Sequence, residues 1–260
     1  MSMFDLQDRV AIVTGGSDGI GRGIANGLAD MGAHVAIVAR QQSKIDAAVA
    51  EIQGKGRKSV GYSADVSSQA AVNEAAAAII KEFGKVDILV NNAGSSWGTT
   101  FKRGLLLELD ESDFDGIFST NVKSGWFFCK AVVPTMMEQE KGGVVINVSS
   151  VGGLLMGRSP SRTMGLYSAT KAAILSLTRT EAAEWAPKIR VNALMPGLIQ
   201  TDRTRNDPNR KATDEQLAAN IGMARVGLPY DLAGAACFLA SDASNWVSGS
   251  FVQVDGGPKA

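Results

Sequence analysis

Tyr167 and Lys171 stand four residues apart in the stretch Tyr-Ser-Ala-Thr-Lys. On a helix, that spacing puts both side chains on one face. A phenol alone keeps its proton up to a pKa of about 10 and is a poor acid or base at neutral pH. A lysine cation one turn away favours the phenolate and draws that pKa down. Such a pair can pass a proton to or from a carbonyl oxygen. The same spacing also occurs on an ordinary half-exposed helix turn, so its meaning depends on what surrounds it.

A second chemical feature lies near the start of the chain. Arg9 to Thr14 is a short apolar run with β-branched residues, the pattern of a buried strand. Gly15, Gly16, Ser17, Asp18, Gly19, Ile20 and Gly21 follow at once, and then Ile24, Ala25, Leu28 and Met31 recur at helical spacing. Strand, glycine turn and helix together bind phosphate, because glycines let a pyrophosphate approach and the helix start presents free N–H groups. In a chain with 29 glycines, an ordinary strand-to-helix turn is the alternative.

These residues must be positioned by regular elements, and the pattern supplies them. Strands are predicted at 9–14, 34–39, 58–64, 86–91, 143–148, 188–194 and 250–254. Helices are predicted at 19–31, 42–53, 68–83, 111–139, 165–185 and 229–240. The alternation predicts an α/β fold, a doubly wound parallel sheet of about seven strands with helices on both faces. Ligands of such sheets gather at the carboxyl ends of the strands. Gly15 to Gly21, Asp65, Asn91 to Gly94, Ser149 and Ser150, and Pro196 to Thr201 all follow predicted strands. The polar stretch Thr201 to Asp214 interrupts the rhythm and reads as a surface loop.

Composition narrows the function. The 260 residues suffice for one α/β domain, 1–260, and 45% hydrophobic residues allow a core without disulfides. The formal net charge of zero and the lack of a basic stripe argue against nucleic acid. No apolar run approaches the length of a membrane span, and the N-terminus lacks a signal-peptide profile. Cys129 and Cys237 lie in apolar helical contexts and read as buried thiols. With His34 as the lone histidine, no catalytic metal site is expected. A reducing, cytoplasmic setting follows as the default.

The chain resembles the short-chain dehydrogenase/reductase superfamily, in its compact single-domain branch. The resemblance rests on Thr14-Gly-x-x-x-Gly19-x-Gly21, Asn91-Asn-Ala-Gly94, Asn121 in Thr-Asn-Val, Ser150 ending Ile-Asn-Val-Ser-Ser, Tyr167-x-x-x-Lys171 and Pro196-Gly197-x-x-x-Thr201. The six motifs occur in the family's order between about Leu6 and Gly257. The resemblance implies a Rossmann fold and hydride transfer with a nicotinamide cofactor. It implies Tyr167 as proton donor in reduction and base in oxidation, and Lys171 as the group that lowers its pKa and holds the nicotinamide ribose. It implies Ser150 as the hydrogen-bond donor to the substrate oxygen, with Ser149 the adjacent candidate, and Asn121 as the holder of a water linking Lys171 to solvent. Cofactor contacts are implied at Gly15, Ser17, Asp18, Gly19, Ile20, Gly21, Arg40, Asp65, Val66, Asn91, Ala93, Gly94, Pro196, Gly197, Ile199 and Thr201. Asp65 has an alternative role as the cap of helix 68–83. The region near 200–225 corresponds to the family's substrate lid.

The end of the second strand reads as a choice of cofactor. The family's position for a ribose-binding acid is Ala39 here, and Arg40 follows, whose guanidinium can fork onto a phosphate. NADP(H) is therefore expected over NAD(H), with Asp18 as a counter-signal. Longer loops at 95–107 and 151–166 bring Trp97, Phe101, Arg103, Leu105, Leu106, Leu107, Leu154, Leu155, Met156, Arg158 and Arg162 to the substrate side. They read as a pocket wall for a small-molecule carbonyl or alcohol, or as packing against a neighbouring subunit. A 3-oxoacyl thioester or acyl-carrier-protein reductase is the alternative enzyme, disfavoured by the acidic Glu138-Gln139-Glu140 stretch, and a non-catalytic dinucleotide sensor is the other. By resemblance, helices 111–139 and 165–185 pair across a two-fold axis. With Phe251 to Val254 as a second contact, a homo-tetramer is expected.

Overall fold

The computed structural model describes residues 2–154, 162–207 and 212–259. Leu155, Met156 and Arg158 of the longer loop lie outside the described residues, as does the side chain of Arg162. The strands are β1 (Val10–Thr14), β2 (His34–Ala39), β3 (Ser59–Ser63), β4 (Ile88–Asn91), β5 (Gly143–Val148), β6 (Ile189–Pro196) and β7 (Phe251–Val254). They form one sheet in the order β3-β2-β1-β4-β5-β6-β7, every neighbouring pair parallel. The order reverses between β1 and β4, and there the sheet opens a crevice at its carboxyl edge.

The strands are apolar on both faces because both are covered. Ala11, Val13, Val35, Ile37, Ile88 and Val90 point into one core, with Ile24, Leu28, Ile45, Ile52, Leu232 and Leu239. Ile12, Val38, Leu89, Val145 and Val191 point into the other, with Val72, Ile79, Phe128, Val132 and Met136. The first face carries α1 (Gly19–Asp30), α2 (Gln42–Gly54) and α9 (Ala233–Ala240). The second carries α3 (Gln69–Phe83), α5 (Ser124–Glu138) and α6 (Gly165–Trp185).

Three local departures from the sequence reading bear on the site. The expected helix 111–139 is α4 (Glu111–Phe118), a π-helical turn at Ser119–Lys123, and then α5. The Ser124 N–H reaches the carbonyl of Ser119, an extra residue back, which widens the helix at Asn121. Within the expected loop after β6 lie two short helices, α7 (Asp202–Arg205) and α8 (Asp214–Ala218), each started by a threonine cap, Thr201 and Thr213. Ser68, not Asp65, caps α3 through the N–H of Ala71.

Candidate active site

The glycine turn is built at the end of β1. Gly15 and Gly19 have φ of +64° and +51°, in the region that favours glycine. A Cβ on Gly21 would fall 2.3 Å from the Gly15 carbonyl oxygen, so the turn closes only without side chains. Asp18 caps α1, accepting from the Gly19 N–H at 2.7 Å, and its other oxygen is ion-paired with Lys44. Ser17 is buried and Ile20 packs on the core.

The loop after β4 is fastened to this turn by Thr14 and Asn92. Thr14 Oγ1 accepts from the N–H groups of Asn92 and Ala93, both at 3.0 Å, and Asn92 Nδ2 donates to the Thr14 carbonyl at 2.8 Å. Asn91 faces the other way. Its amide donates to Asn147 Oδ1 at 3.0 Å and to Cys129 Sγ at 3.4 Å, inside the layer beneath the sheet. The side chain that supports the glycine turn is thus Asn92, which the sequence reading passed over although it stands inside the Asn-Asn-Ala-Gly motif.

Gly94 brings the next group together. A Cβ there would lie 3.0 Å from Asn121 Oδ1 and 3.4 Å from Lys171 Nζ. Asn121 is buried, turned inward by the π-helical turn. Its Oδ1 accepts from the Ser95 N–H at 2.7 Å, and its Nδ2 donates to the Ser95 carbonyl at 2.9 Å and to Thr170 Oγ1 at 3.0 Å. The side-chain amide thereby ties the β4 loop to α6. Lys171 is 4% exposed and donates from Nζ to the Val148 carbonyl at 2.9 Å.

The two serines after β5 divide their work. Ser149 Oγ is buried and donates to the Lys171 carbonyl at 2.7 Å, which pins β5 to α6. Ser150 Oγ accepts from the Gly152 N–H at 3.1 Å and hydrogen-bonds the Tyr167 phenol. A Cβ at Gly152 would fall 3.4 Å from Ser150 Oγ and 4.0 Å from Tyr167 Cε1, so that glycine keeps the space beside both hydroxyls clear.

Burial dominates the electrostatics. It draws the Lys171 ammonium down to about 8. It pushes the Tyr167 phenol above its ordinary range, against the opposing bond from Ser150. The expected lowering of Tyr167 by Lys171 is not found: Lys171 Nζ stands 5.6 Å from the ring centroid, and the phenol is set by its desolvation against the bond from Ser150.

At the adenosine end, Arg40 is exposed just past β2, as expected. Asp65 accepts from the Ser67 N–H and hydroxyl at 3.0 and 2.7 Å, which hold its carboxyl below its usual range, with Arg40 adding a smaller pull. Val66 is buried beside it. On the far side, Pro196 pairs with Val254, Gly197 lies against Asp255, and Ile199 is buried. Thr201 comes within 3.1 Å of the Cβ position of Gly19, so the segment after β6 begins over the glycine turn.

The rim of the crevice holds a cluster the sequence reading did not assemble. The guanidiniums of Arg103 and Arg203 lie 4.7 and 4.4 Å from the ring centroid of Trp97. Arg203 donates to the Trp97 carbonyl, and Arg103 is ion-paired with Asp207.

A parallel doubly wound sheet with a glycine turn after β1 and a Ser–Tyr–Lys group across the same crevice defines a dinucleotide-dependent oxidoreductase. The sequence model of a family described as enoyl-(acyl carrier protein) reductase matches residues 15–259. The chain belongs to the short-chain dehydrogenase/reductase superfamily. It is 37% identical to a 2-dehydro-3-deoxy-D-gluconate 5-dehydrogenase of Dickeya dadantii, over 99% of this chain and 98% of that one. A putative short-chain alcohol dehydrogenase from Sinorhizobium meliloti superposes with a TM-score of 0.89 at 35% identity, covering 98% of each chain. A 7α-hydroxysteroid dehydrogenase in complex with NADH and 7-oxo glycochenodeoxycholic acid superposes at 0.88 with 32% identity, covering 98% of this chain and 96% of that one. Among the described residues, no helix is long and apolar enough to cross a membrane.

Proposed function

We propose that this oxidoreductase uses NADP(H) to interconvert a ketone or aldehyde and an alcohol. The observation that carries the reading is the meeting of Ser150, Tyr167, Lys171 and Asn121 around Gly94 and Gly152. The cradle at Gly15–Gly21 fits a dinucleotide, because any side chain at Gly21 would fill it and the start of α1 offers its N–H groups. Gly15, Ser17, Gly19, Ile20 and Gly21 would hold the pyrophosphate, with Asp18 fixing the turn as helix cap. Arg40, Asp65 and Val66 would hold the adenosine. Ala93, Gly94, Tyr167, Lys171, Pro196, Gly197, Ile199 and Thr201 would hold the nicotinamide half, and Asn91 would support it from beneath.

When bound, the nicotinamide gives or takes the hydride. Ser150 donates a hydrogen bond to the substrate oxygen as charge develops there. Tyr167 gives that oxygen its proton in reduction and takes it back in oxidation. Lys171, drawn down to about 8, can take up and return a proton near neutral pH. Asn121 holds the β4 loop against α6 and so keeps Lys171 facing Gly94.

The preference for NADP(H) rests on side chains, since the steroid dehydrogenase relative carries NADH on the same fold. Arg40 follows β2 with no acid on that turn. Asp18, the counter-signal, is neutralised by Lys44. We read the chain as one domain with a substrate lid near 200–225, working in the cytoplasm as a homo-tetramer. Phe114 and Trp126, exposed on α4 and α5, support an interface there, although Ile117, Phe127, Val132 and Val133 of the same helices are buried within the chain.

The test is consumption of NADPH and of NADH over a panel of ketones, aldehydes and an acyl-carrier thioester, with the parent and Tyr167→Phe. Turnover of free carbonyls that the variant loses is the expected result. A folded parent that consumes neither cofactor with any substrate overturns the reading.

A further inference from the structure

Arg103 has bonding capacity that the fold leaves unused. Its side chain is 12% exposed. One terminal nitrogen touches Met164 Sδ at 3.9 Å, a weak acceptor, and the other is paired with Asp207 Oδ1. Its Nε is buried and has no hydrogen-bond partner among the described residues. An orphaned donor on a buried guanidinium is costly to keep. It lies on the Nε–Nη edge, the edge that takes two carboxylate oxygens at once.

The placement is as informative as the orphan. Met164 is the residue before α6, on the end of the helix that bears Tyr167. Trp97 lies two residues beyond Ser95, which is bonded to Asn121. Asp207 lies just past α7. The guanidinium therefore stands between the helix end that carries the phenol, the loop tied to Asn121, and the segment that starts over the glycine turn. Among the described residues, the charges that act on Arg203 are those of Arg40 and Arg103 against Asp207 and Asp18, and Asp18 is itself paired with Lys44, so the rim attracts anions.

We propose that Arg103 is a specificity-determining residue that binds a carboxylate of the substrate, which is an oxo- or hydroxy-carboxylic acid. The proposal rests on the reading of this site as a carbonyl–alcohol oxidoreductase. Asp207 already puts a carboxylate oxygen on this guanidinium, which favours a carboxylate over a bulkier anion. In binding, the substrate carboxylate takes the place of Asp207 and engages Nε as well. The ring of Trp97, 4.7 Å from the guanidinium carbon, supports it from one face. No covalent step is involved.

The experiment uses the whole protein with NADPH and compares oxo-carboxylates with their methyl esters, levulinate and phenylpyruvate among them. The parent should favour the acid of a pair in kcat/KM. Arg103→Met should raise KM for acids by about ten- to a hundredfold, with kcat and the esters little changed, the loss of a charge-assisted pair. Arg103→Lys should recover part of it. Asp207→Asn, which leaves Arg103 in place, should lower KM for acids and serves if the methionine variant does not fold. A parent that favours esters throughout, or an Arg103→Met loss shared equally by acids and esters, overturns the proposal. If no carbonyl is turned over, the underlying function fails separately. Thermal stabilisation by the same acids with NADP+ present then decides: a shift lost in Arg103→Met upholds the carboxylate site, and no shift in the parent overturns it.

Discussion

Asn121, Ser149 and Lys171 are each fixed by hydrogen bonds from a buried side chain, to backbone carbonyls or to a neighbouring threonine. Trp97, Arg103, Arg203 and Asp207, a short way along the same crevice, are held by charge and ring contacts between segments 104 and 106 residues apart. The first group has one arrangement, because any other leaves buried polar atoms unpaired. The second can be exchanged, because the Arg103–Asp207 pair leaves Nε of the guanidinium unbonded and another carboxylate can engage the same edge. A wall that must hold reacting atoms and a rim that must admit a substrate thus differ in their bonding.

The sharpest break of that comparison lies on the wall. Tyr167→Phe removes one oxygen from a site fixed by other groups. It should lower kcat by about a hundred- to ten-thousandfold while leaving the melting temperature and NADPH binding near the parent's. Steady-state kinetics with a fluorescence titration of NADPH measures both, and retention of activity within tenfold sinks the assignment of Tyr167.

The paired serines sharpen it next. Ser150→Ala should cut kcat by about a hundredfold or more with little change in stability. Ser149→Ala should do the reverse. It removes the bond that pins β5 to α6, while the Lys171 carbonyl keeps its helical partner, and should cost about 0.5–1.5 kcal/mol by denaturant unfolding, with most activity kept under native conditions. Equal losses of kcat in both variants would mean that the serines do not divide their roles in this way.

The sequence made much of this wall legible. The central strands β1, β2, β4 and β5 follow from apolar runs, because a strand covered on both faces must be apolar, whereas β3 and β7, less buried at the sheet edges, follow from their place in the alternation. Other features required three dimensions. The π-helical turn at Asn121 was hidden because apolar residues run on through 111–139 at helical spacing, and one extra residue in a turn barely disturbs that pattern. Asn91 and Asn92 could not be told apart, since successive residues at a strand end point to opposite faces. Burial of Tyr167 and Lys171 was also unreadable, and it reversed the expected shift of the phenol. The rim was least legible: nothing local in Trp97, Arg103 or Asp207 signals a partner more than a hundred residues away.

Arg40 tests whether the exchangeable kind of bonding also operates at the adenosine end. It is exposed, and it draws on the Asp65 carboxyl through charge alone. Arg40→Asp should shift the ratio of kcat/KM for NADPH over NADH by about ten- to a hundredfold toward NADH. NADPH binding to the parent should weaken as salt is raised. A parent that binds NADH more tightly than NADPH from the outset would show that the β2 turn has been misread.

The smallest effect expected is on the wall's far side, where Glu181 extends the fixed kind of bonding into the protein. Asn147 donates to its Oε2 at 2.8 Å and to Thr178 Oγ1 at 3.1 Å. Cys129 on α5 and Glu184 on α6 are its acidic neighbours. Burial raises the Glu181 carboxyl above its ordinary range, outweighing the bond from Asn147, with Glu184 adding to the rise. The folded state then holds a proton that the unfolded state has already lost, so stability falls as pH rises from the ordinary carboxylate range through the raised value. Above that value the whole cost of a buried carboxylate remains. Glu181→Gln keeps an oxygen for Asn147 and removes the charge. The variant should melt higher than the parent at pH 8 and close to it at pH 4, and the gap should open as pH increases. Cys129 does not confound the comparison, because burial raises its thiol well above the ordinary range. A gap that is constant from pH 4 to pH 8 would mean that Glu181 titrates as an exposed carboxylate does, and that the fixed network stops at Asn147.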